Sequence, residues 1–382
     1  MKCTRVLSLL LCACFASMSW GQQPVGNLLR NWRQFHRDNV KRWNPYEKAL
    51  NVHNVRSLGL KWSYATGGEV NSSPAIANGV VYVGSFDGNV YALNASTGGK
   101  LWSYTTGAYV FSSSAVVNGV VYFGSADHNV YALDASTGAF LWKYTTGDRI
   151  EASPAVANGV VYIGSLDDKV YALNASTGVL LWSYGTGDVV GASLTVANGV
   201  VYVGSADDNV YALDALTGTK LWSYTTGHYV LSSAAVANGV LYVGSDDFNV
   251  YALNASTGSK LWSYTTSNTV NSSPAVANGV VYIGSRSTEG NVYALNASTG
   301  ALLWSYATGN LVQSSPAVAN GVIYVGSVDN NVYALDALTG AKLWSYTTGD
   351  YVISSPAVAN GLVYVGSADG KVYAFGLKKG GL

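Results

Sequence analysis

Residues 102–141 read WSYTTGAYVFSSSAVVNGVVYFGSADHNVYALDASTGAFL, and residue 142 begins the same pattern again. Tryptophan holds this register as Trp62, Trp102, Trp142, Trp182, Trp222, Trp262, Trp304 and Trp344, spaced by 40 residues except for one step of 42. Self-similarity at such a period marks a radially repeated architecture. Within the unit, Asn118-Gly119 signals a tight turn, because such turns need positive φ angles that Asn and Gly tolerate. It joins predicted strands at 112–117 and 120–125. Turns at Asp127-His128-Asn129 and at 134–138 then lead to strands at 130–133 and 140–144. Four short strands rich in Val and Tyr predict a four-stranded antiparallel blade, and eight units predict an all-β, eight-bladed β-propeller.

Composition agrees. Apolar residues make up 49% of the chain and charged residues 11%, well under the usual quarter. Strands such as Val80-Val81-Tyr82-Val83 lack polar alternation, which suits sheets packed on both faces. The repeat frame opens in a fourth strand at Leu60-Lys61-Trp62, whereas the last repeat stops after its third strand at Val372-Tyr373-Ala374-Phe375. The N-terminal strand is therefore expected to complete the last blade, closing the ring and removing two exposed edges. The propeller is placed at residues 58–382, with nothing left over for a second domain.

Residues 1–21 read as a signal peptide, with Lys2 and Arg5 ahead of the apolar run 6–16. That run is too short to span a bilayer, and no apolar stretch of spanning length occurs elsewhere. Export to the periplasm or the periplasmic face of the outer membrane is expected, with secretion as the alternative. Ser19-Trp20-Gly21 before Gln22 favours plain cleavage after Gly21; Leu11-Cys12-Ala13-Cys14 alternatively resembles a lipobox that would make Cys14 a lipid anchor. Cys3, Cys12 and Cys14 are the only cysteines, so cleavage at Gly21 removes disulfides, thiolate metal sites and cysteine nucleophiles. Residues 22–57 form a basic arm. From 22 to 61 eight Lys or Arg stand against Asp38 and Glu47, whereas the ring from 62 onward carries 11 basic and 19 acidic residues. The arm is expected to strap onto its own ring electrostatically, with Trp32, Phe35, Trp43 and Tyr46 as apolar anchors; anionic lipid or a partner is the alternative.

The third turn, Ala132-Leu133-Asp134-Ala135-Ser136-Thr137-Gly138-Ala139-Phe140-Leu141-Trp142, resembles the tryptophan-docking motif of the quinoprotein, or PQQ-like, propeller repeat family. The match recurs in seven repeats and covers nearly all of residues 62–382. Physically, Asn or Asp caps the turn, Gly accepts a left-handed backbone and the indole wedges between blades. The eighth copy departs, reading Ala374-Phe375-Gly376-Leu377-Lys378-Lys379-Gly380. The resemblance implies one of two functional classes: PQQ-dependent dehydrogenases, or non-catalytic envelope propellers such as the outer-membrane assembly lipoprotein BamB.

The dehydrogenase class implies an adjacent Cys-Cys ring, a Trp platform, calcium and an Asp base. The mature chain has no Cys pair, and every Trp beyond Trp43 occupies the docking register. His36, His53, His128 and His228 lack ligand spacing. Asp87, Asp127, Asp167, Asp207, Asp247, Asp329 and Asp369 recur once per blade, which assigns them to turn capping rather than to calcium. The Asn-Ala-Ser sequons at Asn94, Asn174, Asn254 and Asn296 sit in the docking turn. No catalytic, cofactor-binding or metal residue is therefore assigned, and PQQ with calcium belongs only to the alternative.

Function is sought where the repeats differ. Variation gathers after the fourth strand and at the second turn, and in an antiparallel blade these two loops share one face. Of 28 tyrosines, 24 occupy three scaffold positions per blade, and Tyr109, Tyr229 and Tyr351 stand out at one variable register. With Phe111, Arg149 and Glu151, and with Arg286 and Glu289 in the blade-six insertion, they are the partner-binding candidates; aromatic and Arg anchors typify protein-binding hot spots. Drift where packing is indifferent is the competing explanation. The expectation is an exported binding or assembly scaffold whose partner is an envelope protein or peptide. A polysaccharide is a further alternative, and nucleic acid is not expected for an exported acidic ring.

Overall fold

A computed structural model describes residues 31–38 and 40–378. The expected signal peptide, its cleavage point and Cys14 lie outside the described residues. Eight antiparallel four-stranded sheets form the blades. Blade 1 comprises Ala75–Ala77, Val80–Gly84, Asn89–Asn94 and Lys100–Thr105, ordered from the ring axis outward. In blade 8 the outermost strand is Leu58–Ala65, paired antiparallel with Lys371–Leu377 so that Ser63 faces Tyr373. The ring is closed by the N-terminal strand, as the repeat frame requires.

Neighbouring blades are held by the tryptophans. Trp102 Nε1 donates to the carbonyl of Ala135 in the next blade at 3.0 Å, and Tyr82 Oη donates to the same oxygen at 2.9 Å. Gly138 lies against the indole with φ +73°, and a Cβ there would sit 2.8 Å from the ring. Both constraints act on one atom position, so only Gly fits. In the eighth copy, which lacks the turn, Trp344 Nε1 instead reaches the Leu58 carbonyl at 3.1 Å. The departure at the chain end is compensated by the segment that closes the ring.

Six of the seven second-turn aspartates cap their turns through Oδ1 and do more, while Asp167 Oδ1 has no donor among the described residues. Asp127 Oδ1 accepts from Asn129 N at 3.1 Å, while Oδ2 accepts from Tyr131 Oη at 2.6 Å and from Gly107 N, in the loop entering the blade, at 2.7 Å. Burial alone would raise this carboxyl; the Tyr131 hydroxyl and the N–H donors outweigh it and hold it below its ordinary range.

The arm docks on its own ring, but backbone pairing rather than surface charge holds it. The innermost strands are sheet edges with open N–H and C=O groups, and the arm bonds to those of blades 1, 2, 3, 5 and 7. Trp32 exchanges two bonds with Ile76 of blade 1, Val116 N donates to Arg33 O at 2.8 Å, and Val156 N to Gln34 Oε1 at 3.0 Å. Further along, Val236 N donates to Val40 O at 3.0 Å, and Trp43–Asn44 runs parallel to Ala317–Ala319 of blade 7. Arg42 is fully buried, and its guanidinium donates to the carbonyls of Pro316 at 3.0 Å, Pro356 at 2.8 Å and Phe35. Burial lowers it to about 9, and its cation lies over the rings of Phe35 and Trp32. Trp32 is a buried anchor; Tyr46 is 43% exposed and contributes little. The electrostatic expectation is corrected because the partners of Arg42 are carbonyl oxygens, not the acidic groups of the ring.

Two outcomes are expected. Gly119 has φ +78° but open space around its Cβ position, so Gly119→Ala costs about 1 kcal/mol from the left-handed backbone alone. Gly138→Ala adds overpacking against Trp102 and costs roughly 1–3 kcal/mol more; urea unfolding of the two variants measures the difference. His36, buried in the arm, is lowered to about 3 by burial and then by the Arg42 charge. Its folded value lies below the unfolded one, so the stability of its neutral form is complete above pH ~6.5 and is lost as pH falls toward ~3. Between pH 6.5 and 5 the loss is about 2 kcal/mol, and His36→Phe flattens the stability curve over that interval.

Candidate functional site: the axial cavity and its rim

Each loop running from the outermost strand of one blade to the innermost strand of the next carries two variable residues, two positions apart. The inner members are Asn71, Phe111, Glu151, Gly191, Leu231, Asn271, Gln313 and Ile353, and all eight line one cavity of ≈ 250 Å³ on the ring axis. The outer members, from Glu69 and Tyr109 round to Tyr351, stand at its rim.

Below the variable ring lies a collar of serines. The N–H of Ser73 donates to Ser113 Oγ at 2.9 Å, and Ser113 N–H to Ser153 Oγ at 3.0 Å. The pattern passes through Ser193, Ser233, Ser273 and Ser315 to Ser355, whose N–H returns to Ser73 Oγ at 3.0 Å. Eight hydrogen bonds thus form a closed circle joining every blade to the next. This explains a departure from expectation: the first strand of blade 2 is Ala115–Val117, shorter than predicted, because serine side chains rather than a strand partner take these backbone donors. At the far end Phe35 of the arm lines the cavity and Arg42 lies beyond it, over its ring.

The structure brings some predicted residues together and separates others. Tyr109 Oη donates to Glu151 Oε1 at 3.1 Å and accepts from Arg149 Nη1 at 3.1 Å. Burial and the Glu151 carboxylate raise the Tyr109 hydroxyl above its ordinary range. The Tyr109 ring packs on Phe86, whose centroid also lies 6.1 Å from that of Phe111. Tyr109, Phe111, Arg149, Glu151 and Phe86 therefore form one cluster between blades 1 and 3. Two blades away, Tyr351 Oη donates to Glu69 Oε2 at 2.8 Å, which also holds Asn71 Nδ2 at 2.8 Å. Tyr229 stands apart on blade 5, 42% exposed and edge-on to His228. In the blade-six insertion Ser287 holds the loop by accepting from Gly290 N at 3.1 Å. Arg286 lies within electrostatic reach of Asp246, whose carboxyl is raised by burial and partly lowered again by Arg286 and His228. Glu289 is exposed.

Sequence reasoning missed the collar, and it read Phe35 as an anchor of the arm without its place in the cavity wall. The collar serine repeats in every blade and so reads as scaffold, and its fixed place two residues before each short strand was the available signal. Among the described residues no group of three or more His, Cys, Asp or Glu is arranged to hold a metal ion, and no helix is long and apolar enough to cross a membrane.

A closed eight-bladed propeller with an axial cavity open among variable loops and capped by its own N-terminal arm is the class that fold and site define. The chain belongs to the PQQ-like propeller family described as outer membrane protein assembly factor BamB, whose model matches residues 56–153, 126–269, 225–286 and 270–382. Among solved structures it is similar to BamB from Moraxella catarrhalis, at 22% identity and TM-score 0.74, over 84% of this chain and 99% of that one. It is also similar to a europium-containing methanol dehydrogenase, at 17% identity and TM-score 0.81, over 92% and 99% of the two chains. A quinohemoprotein alcohol dehydrogenase from Pseudomonas putida HK5 shares 19% identity and TM-score 0.79, over 93% and 81%. At these identities the likeness is one of fold. No curated protein sequence matches the chain.

Each collar bond is expected to matter individually. Ser233→Ala leaves the buried N–H of Ser193 without an acceptor and costs about 1–3 kcal/mol, read as a lowered urea midpoint at unchanged slope.

Proposed function

We propose that the protein is an exported, non-catalytic scaffold of the cell envelope that binds a protein partner at the face bearing the cavity mouth. The observation that carries this reading is the Phe86, Tyr109, Phe111, Arg149 and Glu151 cluster. It joins non-repeated residues from separate repeats into one rim of aromatic and charged groups, the composition of a binding hot spot. Membership in the BamB-like family supports a role in outer-membrane protein assembly. Tyr351 with Glu69 extends the same arc, whereas Tyr229, Arg286 and Glu289 would serve a second contact on the other side of the ring. The likeness to quinoprotein dehydrogenases favours a second reading, a PQQ-dependent redox protein. The cavity fits that cofactor poorly. PQQ is a planar polycarboxylate, and no Lys or Arg lines the cavity, whose one ionisable group is Glu151. All eight ring tryptophans are engaged through Nε1 in blade docking.

Crosslinking in the native envelope separates these readings. The triple variant Phe86→Ala, Tyr109→Ala, Arg149→Ala is expected to lose the principal crosslinked partner at least ten-fold, since hot-spot residues contribute about 2 kcal/mol or more each. An unchanged partner set would overturn the reading. Tight binding of PQQ with calcium, accompanied by alcohol-dependent dye reduction, would establish the redox reading instead.

A further inference from the structure

The axial cavity offers a specific set of hydrogen-bonding groups. Every collar serine is at least nine-tenths buried. Each accepts a backbone N–H, and among the described residues none has an acceptor for its own hydroxyl hydrogen. The cavity is thus encircled by unused donors. Above them Asn71, 7% exposed, has its Nδ2 held by Glu69 but its buried Oδ1 without a donor. Asn271 across the ring has the same orphaned oxygen. Buried polar groups left unpaired cost free energy that a ligand or water recovers on binding.

Charge restricts the ligand. With no Lys or Arg in the wall and Glu151 at the mouth, an anion is opposed. The circle of hydroxyl donors opposes a cation, and Tyr109 takes Glu151 Oε1, which leaves a single carboxylate oxygen to accept. What remains is a neutral molecule offering both acceptors and donors around its perimeter. The apolar lining, with Phe35 at the far end and Phe111, Leu231 and Ile353 at the mouth, adds surface for C–H groups. A volume of ≈ 250 Å³ lies just below the ~300–1,000 Å³ range of drug-sized ligand sites, room for a single small ring.

We propose that the cavity binds one neutral polyhydroxylated ring of hexose size. Its oxygens accept from the serine collar, its hydroxyls donate to Asn71 Oδ1 and Glu151, and its C–H face lies toward Phe35. This site does not depend on a protein partner at the rim. The ring is either a free monosaccharide or the terminal sugar of a glycan.

The test uses the purified full chain with glucose, galactose, mannose, N-acetylglucosamine and their methyl glycosides, followed by saturation-transfer NMR and calorimetry. Gly191 lines the cavity, and a Cβ there meets only Leu231 Cδ2, at 3.8 Å, so Gly191→Phe fills the cavity without straining the fold. Saturable binding of at least one neutral sugar is expected, weakened more than ten-fold by Gly191→Phe at an unchanged melting temperature. Asn71→Ala is expected to weaken it roughly three- to ten-fold. Equal affinity for sugar and glycoside assigns the site to a terminal glycan residue, and preference for the reducing sugar assigns it to a free monosaccharide; both support the proposal. Absence of saturable binding across the panel, binding unaffected by Gly191→Phe, or displacement of the sugar by phosphate or acetate would overturn it. Envelope crosslinks retained in Gly191→Phe keep this outcome distinct from that of the rim.

Discussion

The structure depends on a single recurrent hydrogen bond, from an indole Nε1 on the outermost strand of one blade to a turn carbonyl of the next. It sets the distance between neighbouring sheets at their outer edge, and the glycine beneath the indole lets the ring approach the backbone. A radial repeat has to satisfy the same interface eight times and then meet itself. The last interface cannot use the motif, because the final repeat runs straight on from Phe375 to Leu377 where the others turn. Leu58 supplies the missing carbonyl from the opposite end of the chain. One strand therefore pairs with the last repeat and also receives its tryptophan neighbour, which ties closure of the sheet to closure of the interface.

At the inner edge the geometry is set differently. Short strands near the axis leave little area for apolar packing, and backbone donors there face a narrowing space. Serine answers this with the smallest side chain able to accept an N–H from the adjacent blade. The cost is a ring of hydroxyl hydrogens that the fold itself does not use. The arm seals one end of the channel by pairing with the innermost strands and burying an arginine among carbonyls, a placement that needs every donor satisfied because a buried cation lacks water. The channel thereby becomes a cavity with one mouth, and that mouth opens among the loops where the repeats diverge.

The tryptophan register, the strand count and the closure scheme were legible in the chain because each is local: turn residues and apolar runs declare themselves within one unit. The variable registers were legible for the complementary reason, since near-identical repeats make any departure visible. What could not be read was the meaning of position around a circle. Tyr109, Tyr229 and Tyr351 share a register yet occupy three different sectors, so Tyr109 meets Arg149 and Glu151 from the following repeat while Tyr229 meets neither. The serine collar was hidden because each hydroxyl finds its partner in a neighbouring blade, 40 or 42 residues away and 282 at the closure, and a Ser-Ser-Pro-Ala-Val run reads locally as the start of a strand. For the arm, the charge count led to the right destination by the wrong force: it registers Arg42 as a cation but carries no information on the open strand edges that bind the arm's backbone.

Drift and function make different claims about the second turn. The residue just before the third strand lies in the left-handed region in every blade, with glycine in three of them, at Gly88, Gly290 and Gly370. Asp168, Asp208, Asn330 and His128 are residue types that tolerate this backbone. Phe248 is not: with φ 73° and 44% exposure it bears a left-handed cost of about 1–2 kcal/mol without burying its ring to offset it. Drift at an indifferent position gives no reason to hold a bulky residue in the one conformation it disfavours. Phe248 shares blade 5 with Tyr229, and Asp246 N donates to the Tyr229 carbonyl at 2.8 Å, so the strained aromatic and the exposed tyrosine belong to one connected surface. Strained backbone concentrates at functional sites, so Phe248 adds support to the binding face proposed above, on the side of the ring that bears Tyr229.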